Sequence, residues 1–253
     1  MRKPYEYDYN KKERRAWLTG IGIVLLIALL GLGYYIWLYE PPKEIFVAPT
    51  TDENPSWVLE DFTQPLDAPI TNTKDERSAI NYYNVLAEFR VETALRYQPQ
   101  SGKTFCNIYA WDVANAMDVH LPHYLTKDLM LADEDAYYYT ASSNVYACFL
   151  EVRGLEYGWK VVTAKEAQER ANEGYMTIGV WRNPNAAVDE NDVCAHYPSG
   201  HIVLVRPQPT GSVYRSSKGP YIAQAGAFNT MNANVSDIFN VFRKIQIVYY
   251  THD

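Results

Sequence analysis

The chain has 253 residues, of which 47% are hydrophobic and 21% are charged. This composition is typical of a globular protein, with room for one substantial domain plus a tail or for two small domains. The formal net charge of −7 and the pI near 5.3 argue against nucleic acid as a partner. Nucleic-acid binding usually needs a basic patch.

The N-terminal segment combines basic residues with a long apolar run. Residues 1–16 carry six lysines and arginines, and no charged residue occurs from Trp17 to Tyr39. As a helix, this run would span about 34 Å, which is enough to cross a bilayer. The basic flank predicts a cytoplasmic tail at 1–16, a single membrane span at 17–39 and a body on the periplasmic or cell-wall side. A cleaved signal peptide is the competing interpretation, but Pro41-Pro42 stands where a cleavage site is expected.

A spacer is predicted between the membrane span and the body. Residues 40–72 contain six prolines and have no clear periodicity, so we expect a partly extended segment leading to a folded domain at 73–253. The apolar residues of the spacer that we expect to dock on the domain are Trp57, Leu59 and Phe62. Thr73 to Glu76 forms a capping-box pattern, which predicts a helix that runs to about Arg96.

The next predicted helix carries a cysteine at its start. Four residues at helical spacing share one face: Cys106, Ala110, Val113 and Met117. The pattern predicts a helix from about Thr104 to Asp118, with Cys106 in its first turn. Free backbone N–H groups and the positive end of the helix dipole favour a thiolate there. The competing interpretation is that Cys106 is one more small buried residue.

In the remainder of the chain, the sequence pattern predicts one more helix and several strands. Residues 127–157 have no assignable pattern, and the acidic trio 133–135 lacks the ligand spacing of a calcium loop. A second capping box, Thr163 to Glu166, begins a short helix that ends near Asn172. Strands are predicted at 175–181, 201–206, 221–225 and 245–250. Helices followed by a mostly antiparallel sheet indicate an α+β domain.

The residues around Cys106 carry a family motif. Residues 105–113 read FCNIYAWDV, followed by Ala116-Met117 and Pro122-His123. This motif resembles the papain-like cysteine hydrolases of the NlpC/P60 and CHAP group, the catalytic modules of many cell-wall lysins. The resemblance extends along most of 81–252 and implies a papain-like domain with Cys106 as nucleophile. It also implies that 127–157, which looks longer than its family counterpart, is an insertion that shapes substrate choice.

Thiol catalysis also needs a base and a group that orients the base. The stretch that begins Gly200-His201 resembles the Gly-His-hydrophobic strand of the same group, which makes His201 the expected general base. A small residue before His201 is expected to let the substrate approach, and His196 is a weaker candidate base. Gln224, on the next predicted strand, is expected to hold the imidazole through its side-chain carbonyl. Asn229 is the runner-up for that role.

Four further residues are expected to bind substrate or line the groove: Asn107, Trp111, His123 and Asn229. His120 and His123 have H-x-x-H spacing, but a third and a fourth ligand are not evident, so we expect neither a metal nor a cofactor. The three cysteines suit one working thiol plus one possible pair. Any disulfide is therefore expected to join Cys148 to Cys194.

The expected function is that of a membrane-anchored peptidoglycan hydrolase, which cleaves peptide or amide bonds by a Cys-His-polar mechanism. Its expected partners are peptidoglycan stem peptides and, through residues 17–39, the cytoplasmic membrane. One alternative is a non-catalytic module that binds wall peptide in the same cleft, as a scaffold of an envelope or secretion complex. Acyl transfer on the same fold is a third possibility. A binding module has no need of a thiol–imidazole pair, which favours the hydrolase.

Overall fold

The computed structural model describes residues 62–186, 194, 199–239 and 246–253. The chain divides into two compact units, Met1–Glu44 and Ile45–Asp253, and all of the described residues belong to the second. The predicted membrane span at 17–39 lies outside them. Within the described part, no helix has both the length and the apolar character needed to cross a bilayer.

A six-stranded antiparallel sheet carries the site. Its strands are β3 (Trp159–Val162), β4 (Thr177–Trp181), β5 (His201–Val205), β6 (Tyr221–Ala225), β7 (Asn229–Asn234) and β8 (Val248–His252). They lie side by side in the order β3-β8-β4-β5-β6-β7, and every neighbouring pair is antiparallel. A separate two-stranded ribbon pairs β1 (Tyr124–Leu125) with β2 (Tyr139–Thr140). Strands β5 and β6 consist largely of buried aliphatic residues.

Helices pack on this sheet and complete the core. They are α1 (Ala79–Glu88), α2 (Cys106–Ala116), α3 (Ser143–Val152), α4 (Ala164–Asn172) and the short α5 (Val235–Ile238), with 3-10 turns at Leu95–Tyr97 and Gly154–Tyr157. Helix α2 packs on β5 and β6, and α3 packs on β4 and β5. Helix α4 packs on β4, β5 and β8. The predicted α+β class is confirmed.

Helix boundaries followed the local signals in two cases and not in a third. Helix α2 begins at Cys106, and Thr163 caps α4 by accepting a hydrogen bond from the Glu166 N–H at 3.2 Å. The capping box predicted at Thr73 forms a turn instead, and Ser78 caps α1. The predicted extension of this helix to Arg96 is also wrong. The chain leaves the helix after Glu88, and Arg90 takes a φ of 46°, a left-handed conformation that cannot continue a right-handed helix.

Helix α3 lies within the stretch that had no assignable pattern. Ser142 caps it, and Val145, Tyr146 and Phe149 are fully buried in the core. The second half of 127–157 is therefore part of the core rather than a surface insertion, because α3 contributes fully buried side chains. In the first half, Tyr137 and Tyr138 are exposed, whereas the neighbouring Tyr139 is buried.

The end of the predicted spacer belongs to the folded domain. Phe62 stacks on Phe105 with ring centroids 4.9 Å apart, as expected for docking. The Leu66 N–H donates to the Asp112 carboxylate at 2.9 Å. Asn72 is 1% exposed, and its side chain donates to the Gly174 carbonyl at 2.7 Å. The folded unit thus includes residues 62–72, while Trp57 and Leu59 lie outside the described residues.

The three cysteines form one disulfide and leave one free thiol, as expected. Cys148 of α3 is bridged to Cys194, with their Cα atoms 6.0 Å apart. Cys106 is free and buried. The bridge ties α3 to the connection between β4 and β5, and it leaves the thiol of α2 available for chemistry.

Candidate active site

Three separate elements bring the predicted catalytic residues together. Cys106 is the first residue of α2, His201 is the first residue of β5, and Gln224 lies in β6. Leu204 pairs with Ala223, so extending the register by one residue places Gln224 opposite Val203. Because side chains alternate along a strand, Gln224 and His201 share one face of the sheet. Helix α2 packs on these two strands and sets its N-terminus beside them.

Gln224 holds the imidazole of His201 in one orientation. The Gln224 Nε2 group donates to the Phe228 carbonyl at 2.9 Å, which leaves Oε1 to face His201 Nε2 at 2.5 Å. A carbonyl oxygen can only accept, so Nε2 carries the proton and Nδ1 is the nitrogen left to serve as base. Gly226 makes room for the amide, since a Cβ there would lie 2.9 Å from Oε1.

The thiol and the imidazole shift each other's pKa in opposite directions. Burial raises the pKa of the Cys106 thiol, but the charge of His201 and its hydrogen bond lower it more. With the Ser143 hydroxyl and the Ile202 backbone as further partners, the pKa falls from 9.0 to about 7. Burial lowers the pKa of His201, but the Cys106 thiolate and the hydrogen bonds to Cys106 and Gln224 raise it above its ordinary value. Together these shifts favour a thiolate–imidazolium pair.

Helix α2 begins without a capping side chain. Its N-cap residue is Phe105, which makes no side-chain cap hydrogen bond. The other described helices of nine or more residues each have a capping hydroxyl, from Ser78, Ser142 and Thr163. The backbone N–H groups that a cap would occupy are therefore free to stabilise negative charge beside Cys106. That is the donor arrangement an oxyanion needs.

The glycine before His201 has a packing role. A Cβ on Gly200 would lie 2.3 Å from the Trp181 carbonyl oxygen and 2.5 Å from Asn144 Oδ1. The expectation that this glycine lets substrate approach stays a prediction, and the structure adds a packing reason for it. Only glycine allows the start of β5 to approach the end of β4 and the first turn of α3 so closely.

Two of the expected substrate-binding residues make internal hydrogen bonds. The Asn107 side chain donates to the Ala141 carbonyl at 3.0 Å. The Asn229 side chain donates to the carbonyls of Val91 and Tyr97, both at 2.9 Å. Asn107 directly follows Cys106 and Asn229 lies five residues after Gln224, but these bonds join each side chain to the backbone of another part of the domain. Contact with substrate stays a prediction for each.

Trp111 and His123 form a stacked pair. Their ring centroids are 4.2 Å apart, and His123 is 5% exposed. Its Nδ1 atom has no hydrogen-bond partner among the described residues. Burial, followed by the charge of Arg96, lowers the pKa of His123 to about 4. A role in the groove stays a prediction for both residues.

His120 and His123, the H-x-x-H pair of the sequence analysis, differ in burial. His120 is exposed, unlike His123, and His196 lies outside the described residues. Within the described ranges, no group of three or more His, Cys, Asp or Glu side chains is placed to hold a metal ion.

Two features of the site were missed by sequence reasoning. The first is Ser143, whose Oγ lies 3.4 Å from Cys106 Sγ. The second is the fully buried Asp112 of α2, which accepts from Arg96 Nε at 2.8 Å and from the Tyr97 hydroxyl at 2.8 Å. An aspartate flanked by the apolar residues Trp111 and Val113 within the predicted helix was the available signal for the second feature. Nothing local marked the first.

Comparison with known proteins gives no match to a family model and no match to a curated protein, so the functional conclusion rests on the residues of the site.

Proposed function

We propose that this chain is a membrane-anchored peptidoglycan hydrolase that cleaves a peptide or amide bond of the wall stem peptide. The observation that carries the proposal is the continuous chain of contacts from the Cys106 thiol through His201 to Gln224. A cysteine at the start of a helix, packed against an antiparallel sheet that presents histidine and a polar residue, is the arrangement expected of a papain-like hydrolase. The motif at 105–113 supports the same class and directs the proposal to the cell wall.

The mechanism assigns one task to each residue. The Cys106 thiolate attacks the carbonyl carbon, and backbone N–H groups at the start of α2 stabilise the oxyanion. His201 donates the proton it holds to the leaving amine, and the C–N bond breaks to give an acyl-enzyme. Water, deprotonated by His201, then attacks the thioester and releases the carboxylic acid and the thiol. Gln224 holds the imidazole throughout by accepting from Nε2–H.

The test is mass analysis of muropeptides after purified full-length protein, in detergent, is incubated with peptidoglycan sacculi. An amidase would release whole stem peptides from the glycan, whereas an endopeptidase would leave shortened stems attached to sugar. Cys106→Ala provides the matched control for contaminating hydrolases. If the wild-type protein and this variant release the same fragments, the proposal is wrong.

Variants of the three residues should lose activity to different extents. Cys106→Ala and His201→Ala should each remove nearly all hydrolysis, because the two residues act as a unit. Gln224→Ala should retain more activity, since its amide orients the ring but transfers no proton. Rates of muropeptide release measure these losses, with circular dichroism to verify folding. Equal rates for Gln224→Ala and wild type would remove Gln224 from the mechanism.

The alternative is a module that binds wall peptide without cutting it. One observation favours this alternative: Cys106 is only 4% exposed, which is little for a nucleophile that must reach a polymer. A scaffold would bind sacculi in a sedimentation assay and leave them uncut, and its binding would survive Cys106→Ala.

A further inference from the structure

Besides His201, a second side chain contacts the Cys106 thiol, from a helix that the sequence analysis did not predict. Ser143 is the first residue of α3, and its Oγ atom lies 3.4 Å from Cys106 Sγ. The serine is 5% exposed. Helices α2 and α3 therefore both begin at the same sulfur atom, and both present the positive end of a helix dipole to it.

The Ser143 hydroxyl is not needed to cap its own helix. That role belongs to Ser142, whose side chain accepts from the Val145 N–H at 3.4 Å. The two adjacent serines thus have different partners: Ser142 caps α3, and Ser143 contacts the Cys106 thiol. This separation supplies a pair of variants that differ by one position.

The direction of the hydrogen bond follows from the charge on sulfur. With a neutral thiol, either atom can donate, but a thiolate carries no proton and can only accept. The bond from Ser143 to a thiolate is then charge-assisted, and such bonds are stronger than neutral ones. The contact therefore stabilises the ionised form of Cys106 more than the neutral form.

We propose that Ser143 is a further catalytic residue, whose hydroxyl donates to the Cys106 thiolate and thereby favours the thiolate–imidazolium pair. The role of Ser143 in hydrolysis rests on the proposed function above. The effect of Ser143 on the thiol does not rest on it, because the reactivity of Cys106 is measurable without peptidoglycan. The two proposals can therefore fail separately.

The test is the pH dependence of thiol–disulfide exchange between the full-length protein and 2,2′-dithiodipyridine. The Cys106 thiolate attacks the reagent to form a mixed disulfide, and the pyridinethiolate leaves and is measured by its absorbance. In Ser143→Ala, loss of a charge-assisted hydrogen bond should raise the apparent pKa of the thiol by about one. A thiol of higher pKa is also the stronger nucleophile once ionised, by about threefold for this change.

The two effects predict pH–rate profiles that cross. Below the wild-type pKa, Ser143→Ala should react about threefold more slowly, because it has about tenfold less thiolate. At high pH, where both proteins are ionised, it should react about threefold faster. Ser143→Thr, which restores a hydroxyl, should return the profile toward wild type. A merely structural defect would change the rate in one direction at every pH.

Ser142→Ala is the matched control. It removes the cap of α3 and should lower the midpoint of thermal unfolding, but its pH–rate profile should coincide with wild type. The proposal is overturned if Ser143→Ala keeps the wild-type apparent pKa, or if Ser142→Ala shifts it equally. Crossing profiles in a protein that leaves sacculi uncut would support the role of Ser143 and contradict the proposed hydrolysis.

Discussion

The Cys106 thiol shows how neighbouring groups can reverse the effect of burial. Burial alone raises the pKa of a thiol, because the low-dielectric interior disfavours the thiolate. The charge and hydrogen bond of His201, with smaller contributions from the Ser143 hydroxyl and the Ile202 backbone, outweigh this and lower the pKa of Cys106 to about 7. Among the groups that oppose burial, His201 has the largest effect.

Replacement of His201 by alanine should leave burial as the main influence on the pKa of Cys106. In wild type, we expect the rate of alkylation by iodoacetamide to rise with an apparent pKa near 7. In His201→Ala, the buried thiol loses its cation, so the apparent pKa should rise above its ordinary value. Peptide mass spectrometry identifies the labelled residue as Cys106, the free cysteine. An apparent pKa that stays near 7 in the variant would contradict the assignment of His201 as partner.

His123 should make the protein sensitive to mild acid. Its pKa is about 4 in the folded state and about 6.5 in an unfolded chain. The unfolded chain therefore binds more protons in this range, so stability is complete above about pH 6.5 and falls as the pH falls toward 4. Between pH 7 and 5, this group should remove about 2 kcal/mol from the free energy of unfolding.

The variant His123→Phe keeps a ring against Trp111 and cannot take up a proton. Urea unfolding of the chain at pH 7 and at pH 5 should show a smaller loss of stability for the variant than for wild type. The contributions of all other titrating groups cancel in this difference. Equal losses in the two proteins would mean that His123 is not buried in its neutral form.

The start and the middle of helix α2 differ in how their polar groups are satisfied. Its start lacks a capping side chain and leaves backbone donors free beside the thiol. Its middle is held by Asp112, which receives two hydrogen bonds from Arg96 and one each from Tyr97 and the Leu66 backbone. The Asp112 cluster, defined by these four residues, is satisfied inside the core and fixes the position of the uncapped end.

Removal of the Asp112 carboxylate should therefore be costly. Asp112→Ala leaves the buried Arg96 guanidinium without its counter-charge, which should lower the free energy of unfolding by about 3–5 kcal/mol. The matched control is Asp133→Ala, an exposed carboxylate whose loss should change stability by less than about 0.5 kcal/mol. Urea unfolding measures both. Similar values for the two variants would show that the cluster does not stabilise α2.

At the scale of the whole molecule, the antiparallel sheet order places β5 and β6 side by side under α2. The folded unit also includes residues 62–72, which bond to α2 and to Gly174. A fragment that begins at Thr73 would lose these contacts, so residues 62–72 contribute to the stability of the domain.

The orientation of the whole chain is a separate prediction. The six basic residues before the uncharged run at 17–39 predict a cytoplasmic tail and an extracytoplasmic domain. Protease added to intact spheroplasts should remove the folded domain and spare the tail, whereas lysed cells should lose both. Protection of the domain together with cleavage of residues 1–16 would reverse the predicted topology.

Local patterns predicted the features that depend on residues a few positions apart. They predicted the Thr163 cap, the strands that begin at His201 and Tyr221, and a helix from about Thr104 with Cys106 in its first turn, which begins at Cys106 in the structure. Periodicity and capping act within one or two turns of chain, so a single sequence contains their full signal. The candidates Cys106, His201 and Gln224 came instead from the resemblance of short stretches of this sequence to the NlpC/P60 and CHAP group.

Tertiary structure alone decided the contacts between residues far apart in the chain. Ser143 meets Cys106 across 37 positions, and Gly200 is required by the backbone of Trp181 in the neighbouring strand. The polar strand β7 (Asn229–Asn234) carries no strand-like pattern of its own and is held by its pairing with β6. Such contacts depend on strand register and on helix packing. No pattern within a few residues encodes either, because many distant pairings satisfy the same local preferences.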